Sequence, residues 1–90
     1  LAAAYNNKAY SYYETGKNIK EGLKIIDKAI ALNPDNGLIL STKAELLYKA
    51  KKFKEAYQYI QKAMELEPNE PGIKKDLEII EAAIQKKPIK

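Results

Sequence analysis

The stretch that decides how this chain folds is Phe53-Lys54-Glu55-Ala56-Tyr57-Gln58-Tyr59-Ile60-Gln61-Lys62-Ala63-Met64-Glu65-Leu66-Glu67-Pro68-Asn69. Phe53, Ala56, Tyr57, Ile60, Ala63, Met64 and Leu66 recur at three- and four-residue steps, the spacing of one amphipathic helix. Pro68 ends it, because the residue before a proline is driven out of the helical region. Sliding back 34 positions brings Ile19, Gly22, Leu23, Ile26, Ala29, Ile30, Leu32 and Pro34 onto Phe53, Ala56, Tyr57, Ile60, Ala63, Met64, Leu66 and Pro68. The surface agrees as well, with Lys20-Glu21 on Lys54-Glu55 and Lys28 on Lys62. A period of this length over helix-turn-helix units marks a helical repeat.

The rest of the chain extends that unit in both directions. A first helix is expected over about Ala2 to Thr15, with Ala2, Tyr5, Ala9 and Tyr12 on one face and Gly16 as a left-handed stop. Asn18 then caps the second helix, paired with Glu21 three residues on as in a capping box. Asp35-Asn36-Gly37 is a turn that also supplies the N-cap of a third helix, about Leu38 to Ala50, burying Ile39, Leu40, Ala44, Leu46 and Leu47. Lys51-Lys52 is so short a link that the third and fourth helices must lie antiparallel. Asn69-Glu70-Pro71 opens a fifth helix, about Pro71 to Lys87, with Pro71 in its first turn and Pro88 beyond its end. Ile73, Leu77, Ile80 and Ile84 make a single stripe there, with Ile79 and Ala83 beside it. One apolar and one wet face suit a terminal, capping helix, and Lys86 and Lys87 complement its dipole.

Composition narrows the function. The 90 residues make one small domain and contain no Cys, His, Trp, Val or Arg. That excludes disulfides, thiol nucleophiles and imidazole or thiolate metal sites. A nucleophile would have to be Ser11, Ser41, a carboxylate or a lysine, none with a recognisable base, so no catalytic residues are assigned. Gly16-Lys17 lacks the preceding strand and glycine spacing of a phosphate-binding loop. The net charge of +4 is carried by lysine spread over every helix among twelve acids, which reads as solvated faces rather than a nucleic-acid surface. No apolar run approaches the roughly 20 residues that span a bilayer. Leu1 is not an initiator methionine, so the segment reads as part of a longer chain; the compartment is open, with the cytoplasm slightly favoured.

Small residues at helix crossings and a closing proline, recurring together at one period, resemble the tetratricopeptide repeat. The second unit supplies Leu40, Ala44, Leu47, Phe53, Ala56, Ile60, Ala63 and Pro68 at the positions that carry the likeness. The first supplies Tyr5, Ala9, Tyr12, Gly16, Ile19, Gly22, Ile26, Ala29 and Pro34. The departures are Gly22 where Ala is expected, Tyr5 and Leu40 at a tryptophan-like position, and one extra residue expected in the first turn. The resemblance implies an all-α, right-handed superhelical stack of antiparallel helix pairs with five helices: repeats over about 3–34 and 35–68 and a cap over about 71–87. It also implies a protein-interaction scaffold, without a cofactor, whose first helix of each pair lines a concave peptide-binding surface. Here that surface would present Asn6, Asn7, Tyr10, Tyr13 and Glu14, then Ser41, Thr42, Glu45, Tyr48 and Lys49.

Tyr5, Tyr12, Tyr57 and Tyr59 fall on or beside apolar stripes and read as packing residues. Tyr10, Tyr13 and Tyr48 divide evenly between packing and recognition. Members of the family that receive chaperone tails use a lysine- and asparagine-rich carboxylate clamp. Asn6, Tyr10, Thr42, Gly72 and Asp76 stand at the corresponding positions and do not reproduce it. The partner is thus an unidentified protein or peptide, with neither nucleic acid nor membrane insertion implied. The alternatives are a non-binding structural end of a longer array and self-association with a second copy.

Overall fold

The computed structural model describes residues 1–86, and among them five helices follow in order: α1 (Ala2–Thr15), α2 (Ile19–Leu32), α3 (Gly37–Lys49), α4 (Phe53–Leu66) and α5 (Pro71–Gln85). The helix ends explain most of these bounds. Gly16, at φ 72°, directs its N–H to the carbonyls of Tyr12 and Tyr13 at 2.9 and 3.2 Å, closing α1 in the left-handed conformation that glycine adopts without penalty. Asn36 is extended, and its Oδ1 accepts from the N–H groups of Leu38 (3.0 Å) and Ile39 (3.1 Å), satisfying two otherwise orphaned donors. Pro71 occupies the first turn of α5, where its missing N–H costs nothing.

The repeat is visible in the backbone. Asn33 and Glu67, one period apart, close α2 and α4 with matching φ/ψ of −148°/76° and −133°/69°, donating to Ala29 and Ala63 respectively.

Two expectations about the turns fail. Asn18 is not a side-chain cap: its backbone is left-handed at φ 56°, and its side chain makes no capping hydrogen bond. A cap needs an extended backbone to aim its oxygen at the first turn, and asparagine here serves instead as one of the few residues that tolerate positive φ. Nor does the first turn carry an extra residue. Residues 16–18 and 50–52 are equal in length and differ only in which position turns left-handed, Gly16 and Asn18 in one and Lys51 in the other.

Packing forms two layers, with α1, α3 and α5 in front and α2 and α4 behind, in a slab 47 × 30 × 18 Å whose thinnest dimension matches about two helix diameters. α3 belongs to both halves of the core. Leu40, Ala44 and Leu47 pack with Ala56, Ile60 and Ala63 of α4 and Ile73 and Ile80 of α5. Ile39 and Leu46, on its other side, pack with Ala9 of α1 and Ile25, Ile26 and Ala29 of α2. At the α1–α2–α3 crossing, a Cβ on Gly22 would lie 3.0 Å from Leu46 Cδ2 and 3.1 Å from Tyr12 Cβ. The residue that departs from the family pattern therefore permits a closer approach. Behind, Lys43 of α3 donates to Asp27 of α2 at 2.7 Å and stands 4.7 Å over the Tyr59 ring of α4, tying three helices together.

α5 is less regular than its stripe implies. Ile73 and Ile80 are buried and Leu77 half-buried, but Ile84 is 38 % exposed. The end of α5 stands off α4 across a crevice of about 510 Å³ lined by Tyr57, Gln61, Ile84 and others, so among the described residues that side chain is only partly covered. The helix ends at Gln85, and its last turn carries no basic residue. Lys87 and Pro88 lie outside the described residues.

Ala56 has no exposed surface at the α3–α4 crossing. Ala56→Leu should overpack it and lower unfolding stability by about 1–3 kcal/mol, measured by chemical denaturation, because the crossing has no space for three more carbons.

Candidate functional site

The front layer alternates with the back one along the chain, so one face is built only from α1, α3 and α5, which approach one another from residues far apart in sequence. That face carries a trough of about 260 Å³, bounded by Asn6, Asn7 and Tyr10 of α1, by Leu38, Ser41, Thr42 and Glu45 of α3, and by Glu70, Gly72, Ile73 and Asp76 around the start of α5. A second, tighter cavity of about 110 Å³ adjoins it, walled by Tyr13, Tyr48, Ile79 and Ile80, and Glu45 and Asp76 line both. The aromatic rim is ordered by its own contacts. The Tyr10 and Tyr13 rings lie 5.4 Å apart at 42°, Tyr48 packs on Phe53 at 5.6 Å, and the Lys49 ammonium sits 5.4 Å from the Tyr13 ring centre.

Where the two cavities meet, Glu45 of α3 and Asp76 of α5 both line the junction. Burial raises the Glu45 pKa from 4.5 to about 9, and the adjoining Asp76 adds to the rise. At neutral pH Glu45 therefore keeps its proton, because a carboxylate beside another acid in a partly dry site ionises at a cost. The same environment raises the nearby phenols. Burial first, then the charges of Glu45 and Asp76, push Tyr13 up to about 12, and burial with Glu45, Glu14 and Asp76 raises Tyr10. These phenols stay protonated and can donate. Ser41 and Thr42, by contrast, already donate to the Leu38 carbonyl at 2.8 and 3.1 Å. The Asn6 Oδ1 is sealed from solvent and accepts no hydrogen bond.

Of the residues expected on a peptide-binding surface, Asn6, Asn7, Tyr10, Ser41, Thr42 and Glu45 line the trough, and Tyr13, Glu45 and Tyr48 line the inner cavity. Thr42 is 4 % exposed with its hydroxyl engaged, so it forms wall more than it offers a free group. Lys49 lines neither cavity and reaches the site only through the Tyr13 ring, while Glu14 is exposed outside both. The five clamp-corresponding positions Asn6, Tyr10, Thr42, Gly72 and Asp76 all fall in the trough, but they bring an acid and no cation. Sequence reasoning assigned no binding role to Asp76, which faces the site from the helix taken as a cap. The register, one period beyond Thr42, had already put Asp76 at a clamp-corresponding position, but as an acid where that clamp needs a cation it was passed over.

Among the described residues, no group of three or more His, Cys, Asp or Glu side chains is placed to hold a metal ion. No described helix is long and apolar enough to cross a membrane.

A two-layer stack of helix pairs with a 34-residue register and a trough on its first-helix face defines a class of repeat scaffold. Residues 16–78, well over half the chain, match the family model for the tetratricopeptide repeat, and the chain belongs to that family. Such repeats generally mediate protein–protein interaction, typically without catalysis. No curated protein matched the chain.

The acid pair makes stability depend on pH in a defined direction. Folded Glu45 keeps its proton up to about 9, whereas the unfolded side chain loses it near 4.5. Between those values the native state binds more protons than the unfolded one, so stability is greatest toward pH 4.5 and declines toward pH 9. Glu45→Gln, which imitates the protonated acid, should flatten the dependence of Tm on pH across this window and exceed the parent in Tm at its alkaline end.

Proposed function

We propose that this domain binds an extended segment of a partner protein along the face made by α1, α3 and α5. The observation that carries this reading is the trough itself: three helices from different parts of the chain contribute amide, phenol and carboxyl groups to one concavity. Surface built by chance from solvated helix faces would not concentrate half-buried tyrosines and an acid pair that keeps a proton. Tyrosine suits recognition because it offers a rigid ring and a polar tip at small entropic cost.

Other readings have less support. A non-binding structural end of a longer array gains no support from the front face, whose trough is left open by the chain's own side chains. Self-association through a tyrosine-bearing α1 surface is weakened because Tyr5, Tyr12 and Tyr13 pack against the chain's own core. Tyr10 is then the exposed tyrosine of that helix.

The test is site-specific photo-crosslinking in the parent cells. A benzophenone amino acid replacing Tyr10 should give discrete covalent adducts with a partner protein. The same group replacing Lys62, exposed on the outer face of α4, should not. Adducts from position 62 alone would move the binding surface to the back layer.

A further inference from the structure

We propose that the junction of Glu45 and Asp76 seats the cationic side chain, lysine or arginine, of the bound peptide, with the rings of Tyr13 and Tyr48 flanking its aliphatic stem. This rests on the front face being the peptide surface and names the side chain that face selects.

Charge is segregated in a way composition conceals. The chain has sixteen lysines against twelve acids, yet the residues lining the trough and inner cavity include Glu45, Glu70 and Asp76 and no lysine. The inner cavity, about 110 Å³, is walled by Tyr13 and Tyr48 beside the Glu45 and Asp76 carboxyls, so a long aliphatic stem ending in a cation meets both an apolar and an acidic lining. Its rim already attracts an ammonium, since Lys49 Nζ stands 5.4 Å from the Tyr13 ring centre. Hydrogen-bonding capacity points the same way. The hydroxyls of Ser41 and Thr42 are committed to Leu38, whereas the carboxyl oxygens of Glu45 and Asp76, which line both cavities, are acceptors. An incoming group that supplies donors and positive charge meets this surplus; an acidic or purely apolar group does not.

Entry of a cation also replaces the proton that Glu45 keeps beside Asp76. The titratable groups lining the cavities around the pair are Tyr10 and Tyr13 of α1, Tyr48 of α3 and Glu70 just before α5, while Glu14 acts on Tyr10 and Lys49 reaches only the Tyr13 ring. With the phenols protonated, the Glu45 proton is the one released when ammonium or guanidinium lies between two carboxylates. Binding is therefore proton-linked and strengthens as pH rises through the neutral range.

Four pools of nonapeptides, with central lysine, arginine, norleucine or glutamate and flanks of mixed Ala, Ser and Gly, are titrated into the ¹⁵N-labelled chain. The lysine and arginine pools should shift the amide signals of Tyr13, Glu45, Tyr48 and Asp76, binding about tenfold or more tighter than the norleucine pool. Glu45→Gln and Asp76→Asn, both neutral and near-isosteric, should each remove most of that advantage while the circular-dichroism spectrum is kept. Calorimetry of the lysine pool in buffers of different ionisation enthalpy should register proton release with the parent chain and none with Glu45→Gln, a readout that mere loss of packing would not change. Equal binding of the norleucine pool at the same signals would overturn the cation assignment and leave the peptide surface standing. No shifts on the front face from any pool would overturn both.

Discussion

The structure depends on α3 being buried from two sides at once. Leu40, Ala44 and Leu47 belong to one cluster and Ile39 and Leu46 to another, so a single helix joins the α1–α2 pair to the α4–α5 pair. A chain of this length has little core to spare, and two separate two-helix units would each be too small to stand. Small residues make the arrangement possible. Ala9, Ala29, Ala44, Ala56 and Ala63 have no exposed surface, and Gly22 brings α2 against Leu46 and Tyr12 more closely than a Cβ comfortably allows. Loss of helix propensity at Gly22, about 1 kcal/mol, is offset by contact across the crossing.

The same arithmetic of alternation creates the front face. Because successive helices pair antiparallel through turns of three or four residues, odd-numbered helices share the front layer and even-numbered ones the back. Residues that each look like ordinary solvated positions on their own helices, among them Tyr13, Glu45 and Asp76, are thereby drawn around one partly dry cavity. Enclosure changes their chemistry. Glu45 keeps a proton at neutral pH through burial and the adjoining acid, and Tyr13 is displaced upward by burial and the same two acids. An arrangement that raises the cost of ionisation does not favour folding at physiological pH, and perturbed groups in a cleft point to binding rather than to packing.

The sequence reading succeeded where one physical rule acted alone and failed where two competed. The period, the helix spans, the buried set Ile39, Leu40, Ala44, Leu46 and Leu47, and the capping role of Asn36 all followed from spacing and local backbone chemistry. Asn18 went astray because asparagine serves equally as a side-chain cap and as a tolerant left-handed residue, and only the path of the chain between α1 and α2 selects between them. Ile84 went astray because a stripe on a helix records where apolar side chains point, not whether a neighbour arrives to cover them.

By itself, the sequence determined that this is a two-layer stack of helix pairs repeating every 34 residues, since hydrophobic periodicity, turn residues and paired prolines are local properties written into the chain. It also carried the front-face positions Asn6, Tyr10, Glu45 and Tyr48, which follow from register. Only the tertiary structure decided that Asp76 meets Glu45, that three acids and no lysine line the two front cavities, and that enclosure lets Glu45 keep its proton. Those are properties of distance between residues some thirty positions apart, and distance of that kind does not exist until the helices have packed.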